Sequence, residues 1–206
     1  MKKGFSLPLW VAGASKSALK KLLGFSFENF EFISIPHENR QVKIEVHSAG
    51  LIKGQSEALG ISFAKSGLDL DITQNLEIWT IASLVRDSKQ NTIFKNKINI
   101  FPGEGVGIDV KTSEICISNF AKEVLNSNLL GLIPKGFNLN LEIIFPKGKF
   151  LAERTSNKSF GIVEGLSIIG TSADTFSSAS DEQLKAAKTN LENVLKDDFK
   201  GEIVFV

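Results

Sequence analysis

Hydrophobic positions change their period along this chain, and the changes divide it into elements. The run W-V-A-G-A-S-K-S-A-L-K-K-L-L, with Pro8 ahead of it and Gly24 behind, predicts a helix of small residues whose Lys20 and Lys21 suit a helix C-terminus. From Phe27 the period drops to two. F-E-N-F-E-F-I-S-I, a turn at P-H-E-N-R and Q-V-K-I-E-V-H, with Val42, Ile44 and Val46 on one face, predict a hairpin. Residues 48–66 mix the two patterns and predict no definite element. N-L-E-I-W-T-I-A-S-L-V-R (75–86) reads as a long buried strand, and T-I-F-K-N-K-I-N-I-F (92–101) and F-N-L-N-L-E-I-I-F (137–145) as two more. Residues 118–130 carry Phe120, Val124, Leu125 and Leu129 at helical spacing, with Gly131 as a stop. Polar, turn-like A-D-T-F-S-S-A-S then leads to a helix striped by Leu184, Ala187, Leu191, Val194 and Leu195, and to a short apolar strand, E-I-V-F-V.

This order predicts an α+β fold. Residues 1–173 form a mixed or antiparallel sheet domain with covering helices; residues 174–206 form a linker plus the first helix and strand of a truncated α/β, Rossmann-like domain. On that reading the chain is an N-terminal portion, or a shortened form, of a longer protein.

Composition narrows the function classes. With 206 residues and 42% hydrophobic content the chain can fill an ordinary core, and its net charge of +1 gives no reason to propose a nucleic-acid or membrane partner. No run approaches the ~18 apolar residues of a membrane helix, and M-K-K-G-F-S-L-P-L-W lacks the apolar core and cleavage site of an export signal. One cysteine, Cys116, cannot form an internal disulfide, so a reducing, cytoplasmic setting is expected. Cys116 itself reads as a small buried hydrophobe. The absence of Tyr removes tyrosine acid–base chemistry, and His37 and His47 are too few and too far apart for a metal site, so no protein-bound metal is expected.

Candidate chemistry gathers in three stretches. G-L-D-L-D-I-T (67–73) sets Asp69 and Asp71 two apart beside Thr73, a pair that either caps a turn or takes a proton or ribose hydroxyls. P-G-E-G-V-G (102–107) follows a strand as a phosphate loop does, yet lacks the G-x-G-x-x-G spacing and the following helix. S-N-K-S-F-G-I-V-E-G-L-S-I-I-G-T-S (156–172) spaces Gly161, Gly165 and Gly170 too closely for a helix interior, where each costs about 1 kcal/mol relative to alanine. Either it is a buried strand pair with tight turns, or it offers bare backbone to a ligand. Lys147, Lys149, Arg154 and Lys158 against Glu153 give a local +3 there, which suits a ligand bearing carboxylates or phosphates and equally a solvated surface.

Four segments together resemble the cobalt-precorrin-5B C1-methyltransferase, or CbiD, family of anaerobic cobalamin biosynthesis: K-K-G-F-S-L-P-L-W-V-A-G-A-S-K-S-A-L, K-S-G-L-D-L-D-I-T, F-P-G-E-G-V-G and, most closely, A-E-R-T-S-N-K-S-F-G-I-V-E-G-L-S-I-I-G-T-S. They span most of residues 1–173. S-L-P-L-W stands where the family has T-T-G-T-C, leaving only Ser6 as a hydroxyl, and Leu68 and Leu70 replace an aspartate and a proline. The resemblance implies transfer of a methyl from S-adenosylmethionine to C-1 of a cobalt-bearing tetrapyrrole, giving cobalt-precorrin-6A. It implies Asp69, Asp71 or Glu104 as the catalytic carboxylate or the ribose and sulfonium contact, and Gly103, Gly105, Gly107 and Thr73 as cofactor contacts. Arg154 and Lys158 would meet the acetate and propionate arms, while Asn157, Gly161, Gly165, Gly170, Thr171 and Ser172 would line the floor of the substrate site. Homo-oligomerisation or contact with other cobalamin-pathway enzymes is compatible with it. Two other readings stand beside it: a non-catalytic tetrapyrrole-binding module, and a nucleotide-binding enzyme using G-E-G-V-G.

Overall fold

The structure, a computed structural model, describes residues 3–67, 71–87, 97–176 and 181–196. Helix α1 (Leu7–Leu22), which follows strand β1 (Lys3–Phe5), is buried on nearly every side from Leu7 to Leu19. Its small residues explain how that is achieved. A Cβ on Gly13 would stand 2.6 Å from Ile44 Cγ2, and one on Gly60 would stand 2.2 Å from the Ala14 carbonyl oxygen, so backbone lies directly on backbone. The helix stops where Gly24 takes a φ of 84°.

The hairpin β2 (Phe30–Ser34) and β3 (Gln41–Glu45) forms as its alternation predicts, with Ile33, Val42 and Ile44 buried. Residues 48–66, where the pattern was mixed, make a second hairpin, β4 (Ser48–Ile52) and β5 (Glu57–Phe63). β5 shows why the pattern misled: its inward residues are Ala58, Gly60 and Ser62, small rather than apolar, because α1 lies against them. With β6 (Glu77–Arg86), β7 (Ile98–Pro102) and β10 (Phe137–Ile144) they form a five-stranded sheet in the order β4-β5-β6-β10-β7. Only the β10–β7 pair is parallel. Leu139, Leu141 and Ile143 of β10 are fully buried. Helix α2 (Asn119–Leu129), capped by the Ser118 hydroxyl, packs on α1.

The remaining strands are short and hold the glycine-rich segments together. β8 (Gly105–Val106) runs parallel to β12 (Gly165–Leu166), and β9 (Ile108–Asp109) antiparallel to β11 (Ile162–Val163). A short helix, α3 (Gly148–Ala152), follows β10 after residues 145–147. Asp174–Phe176, expected in a linker, instead forms β13, paired antiparallel with β1. Three backbone pairs with the chain's opening residues outweigh its polar composition. Helix α4 (Asp181–Lys196) forms where the apolar stripe predicts it. The strand expected at 202–206 and residues 92–96 of the strand expected at 92–101 lie outside the described residues. Mixed sheets with few helices make this an α+β fold.

Candidate functional site

Ser6 is where the site begins. It heads α1 but does not cap it: its hydroxyl donates to the Ser172 carbonyl at 2.7 Å and its N–H to the Ala173 carbonyl at 2.9 Å. The end of the glycine-rich segment is thereby strapped across the start of the helix. Gly170 rests against Pro8, and Ser118 donates to the Gly170 carbonyl at 2.9 Å. β13 extends the strap; Thr175 donates to the Ser66 carbonyl at 2.5 Å, and Arg40 binds Asp174 at 2.9 Å, which raises the guanidinium's pKa. Ser66 stands one residue before the G-L-D-L-D-I-T loop, so the first, second and last motifs meet.

They meet around a cavity of about 430 Å³. Asp71, Thr73, Asn157, Gly170, Thr171 and Ser172 of the expected site line it, together with Phe5, Ser6, Thr155 and Ser167. Asp71 Oδ1 accepts from both the N–H and the hydroxyl of Thr73 at 2.8 Å, which shapes the loop. The second carboxylate oxygen has no protein partner among the described residues. Asp69 lies outside the described residues.

A second, smaller cavity of about 250 Å³ opens on the other side of Asn157 and is lined by Lys149, Glu153, Lys158, Glu164 and Gly165. Asn157 belongs to both. Its amide donates to the Gly165 carbonyl at 3.1 Å, while its N–H donates to the Thr155 hydroxyl at 3.2 Å, so its place between the cavities is held from two directions. The local charge is smaller than the residue count predicts. Lys149 pairs with Glu164 at 3.0 Å, and this bond, with Glu104 adding, holds the ammonium's pKa above its ordinary value. Lys147, Arg154 and Lys158 have no carboxylate partner among the described residues.

Gly103, Gly105, Gly107, Glu104, Arg154 and Gly161 line neither cavity. Gly105, with a φ of 76°, is packed shut: a Cβ there would stand 2.0 Å from the Phe145 carbonyl oxygen, and one on Gly165 would stand 1.9 Å from the Gly105 carbonyl oxygen. A Cβ on Gly148 would likewise stand 2.1 Å from the Gly105 carbonyl oxygen. Here the glycines serve the close approach of β8, β12 and α3. Glu104 is exposed beside that junction, and Cys116 is half-buried. Gly161, at a φ of 75°, ends the 3-10 turn Asn157–Phe160 with open space around it.

The sequence profile of the CbiD family matches residues 1–175. This chain belongs to the CbiD family. Cobalt-precorrin-5B C(1)-methyltransferase of Prochlorococcus marinus strain MIT 9215 is 71% identical over all 206 residues, and the protein of that name from strain MIT 9515 is 68% identical over the same length. The homologue of strain NATL1A is 40% identical over 211 aligned positions. This chain spans only 56%, 55% and 55% of those proteins. A crystal structure of the cobalamin biosynthesis protein CbiD from Archaeoglobus fulgidus shares the fold, with a TM-score of 0.64 at 22% identity, over 94% of this chain and 60% of that one. Among the described residues of this CbiD chain no helix is long and apolar enough to cross a membrane.

Ser167 was absent from the sequence-based set of site residues. It is 6% exposed, lines the larger cavity, and its hydroxyl has no hydrogen-bond partner among the described residues. Its signal was available: in G-L-S-I-I the buried Leu166 and Ile168 share one face, which turns Ser167 to the other. Phe5 and Thr175 carried no such signal, since only the β1–β13 pairing brings them here.

Proposed function

We propose that this chain carries the central contacts of an S-adenosylmethionine-dependent C-methyltransferase that converts cobalt-precorrin-5B to cobalt-precorrin-6A by methylation at C-1, as a soluble cytoplasmic enzyme. The observation that carries this reading is the convergence of segments up to 166 residues apart on one cavity at the start of α1. The names of the Prochlorococcus relatives support it.

The donor supplies an activated methyl on a sulfonium, so its S–C bond breaks with the electron pair kept on sulfur while C-1 of the macrocycle provides the pair for the new bond. The chain's own work is therefore to bind, orient and exclude water, for which alignment supplies much of the rate. The residues present fit that demand: a 430 Å³ cavity lies in the size range of small-molecule sites, and Asp71, on its lining, keeps one carboxylate oxygen without a partner among the described residues. Of the candidate carboxylates described, Asp71 rather than Glu104 stands where it can accept a proton or a ligand hydroxyl. Arg154 and Lys158, which have no carboxylate partner among the described residues, are cations able to meet carboxylate arms.

Incubating the purified chain with methyl-labelled S-adenosylmethionine and cobalt-precorrin-5B tests this. Label in the corrinoid is the expected result; corrinoid binding without label transfer replaces it with the binding-module reading.

A further inference from the structure

We propose that the larger cavity holds the nucleoside end of the methyl donor, and that the carboxylate-rimmed macrocycle lies outside it, past Asn157. This rests on the methyl-transfer reading for the identity of the nucleoside, and on the cavity's own chemistry for its class.

Charge makes the first distinction. Among the described residues no Lys, Arg or His lines the larger cavity, whereas two carboxylates, Asp71 and Asp174, do. Asp174 is engaged by Arg40, but Asp71 is not neutralised by any cation among the described residues. A polycarboxylate edge brought here would meet like charge with nothing to offset it. A ligand with vicinal hydroxyls meets the opposite situation, because an ionised carboxylate only accepts hydrogen bonds and the spare oxygen of Asp71 is an acceptor in want of donors.

Ser167 makes the second. A buried hydroxyl without a partner loses its water and gains nothing in exchange, at the cost of an unmade hydrogen bond. The hydroxyl oxygen is closed off from solvent but its residue lies on the cavity wall, so a small shift of that wall would give it a partner in a polar group of the occupant. Thr171 adds a hydroxyl that can donate and accept, while the hydroxyls of Thr73 and Ser172, whose protons go to Asp71 and to the Asp174 carbonyl, add acceptors, a mixture that a base with donors and acceptors requires.

The apolar lining makes the third. Leu166 is buried, Phe5 is half-buried with its ring tilted against Trp10 at 6.5 Å, and Ile169 stands 62% exposed at the rim. An isoleucine that open to water, on the same lining as a phenylalanine and several hydroxyls, offers apolar surface to a flat ring. Polar donors and acceptors, apolar walls and a carboxylate with no cation beside it among the described residues together describe a nucleoside rather than a polyacid. Gly170, Thr171 and Ser172, which the family likeness set against the macrocycle, then belong to the donor. Arg154 and Lys158, outside this cavity, are left for the macrocycle.

Calorimetric titration of the full chain with S-adenosylhomocysteine, adenosine and L-homocysteine tests the assignment, with Asp71→Asn and Ser167→Ala as variants. Asn keeps the oxygen that Thr73 bonds, so the loop stays folded. We expect S-adenosylhomocysteine and adenosine to bind, L-homocysteine not to bind, and each variant to weaken the two nucleosides by about tenfold or more while corrinoid affinity is unchanged. Arg154→Ala with Lys158→Ala should show the reverse pattern. Failure of the chain to bind either nucleoside, variants that bind them as the wild type does, or loss of corrinoid rather than nucleoside affinity in Asp71→Asn overturns the proposal. Methyl transfer with unshifted nucleoside affinity in both variants removes this site and leaves the activity standing. Shifted affinity without methyl transfer to the corrinoid does the opposite.

Discussion

The side-chain amide of Asn157 donates to the carbonyl of Gly165 over 3.1 Å, and that bond fixes the residue that lines both cavities. Gly165 is buried, so its carbonyl has few alternatives. Asn157→Ala should therefore cost about 1 kcal/mol of stability, by the ordinary net worth of such a bond, while lowering methyl transfer much more than that loss implies. Urea unfolding and a labelled-methyl assay on the same preparation check the two effects separately; equal small losses in both would reduce Asn157 to a structural residue.

The glycines divide into two kinds, which alanine scanning separates. Gly165→Ala pushes a Cβ to 1.9 Å from the Gly105 carbonyl, a backbone atom that cannot turn aside. A loss of about 3 kcal/mol or more is expected, in line with overpacking at a rigid contact. Gly161→Ala meets open space and only a φ of 75°, so about 1 kcal/mol is expected. Chemical denaturation of the two variants should keep this order.

Asn128 is the polar pin between α2 and the first hairpin. Its Oδ1 accepts from the Ser34 N–H at 2.8 Å, and its Nδ2 donates to the Ser34 carbonyl at 2.9 Å and the Val124 carbonyl at 2.8 Å. Replacing it with alanine leaves the Ser34 N–H and carbonyl without that partner near the core and should cost about 2 kcal/mol. Asn128→Asp retains the acceptor but loses the donors and sets a carboxylate against the Ser34 and Val124 carbonyls at a position only 7% exposed, so its Tm at neutral pH should fall below that of alanine; a Tm between wild type and alanine overturns this.

Lys16 sets a pH dependence. Burial lowers its pKa from 10.5, with nearby Glu31 opposing and Lys20 assisting, although its ammonium donates to the Phe32 carbonyl at 2.6 Å. Between the lowered value and 10.5 the unfolded chain holds more protons than the folded one, so stability rises with pH across that window. Below the window both states are protonated and the burial penalty is present in full. Lys16→Met should flatten the rise, as measured by urea midpoints at stepped alkaline pH; an unchanged slope assigns the rise to another group.

Local periodicity determined much of this protein: the opening helix with its glycine stop, the Phe30–Glu45 hairpin, the long strands at 77–86 and 137–144, and the helix capped by Ser118 are all written in the spacing of apolar residues. Such elements are legible because each depends on neighbours within one or two turns. Motif likeness also brought Asp71, Asn157, Gly170, Thr171 and Ser172 forward as a group, without showing that they share a cavity. The tertiary structure alone decided the rest. Whether a glycine faces a ligand or another backbone depends on what crosses it, and Gly105 meets Phe145 and Gly148. Whether Lys149 is a free cation depends on Glu164 arriving from a different strand segment. Above all, β13 pairs with β1 across more than 160 residues, and that register, invisible to any local pattern, strapped the glycine-rich segment over the start of α1 and made the cavity.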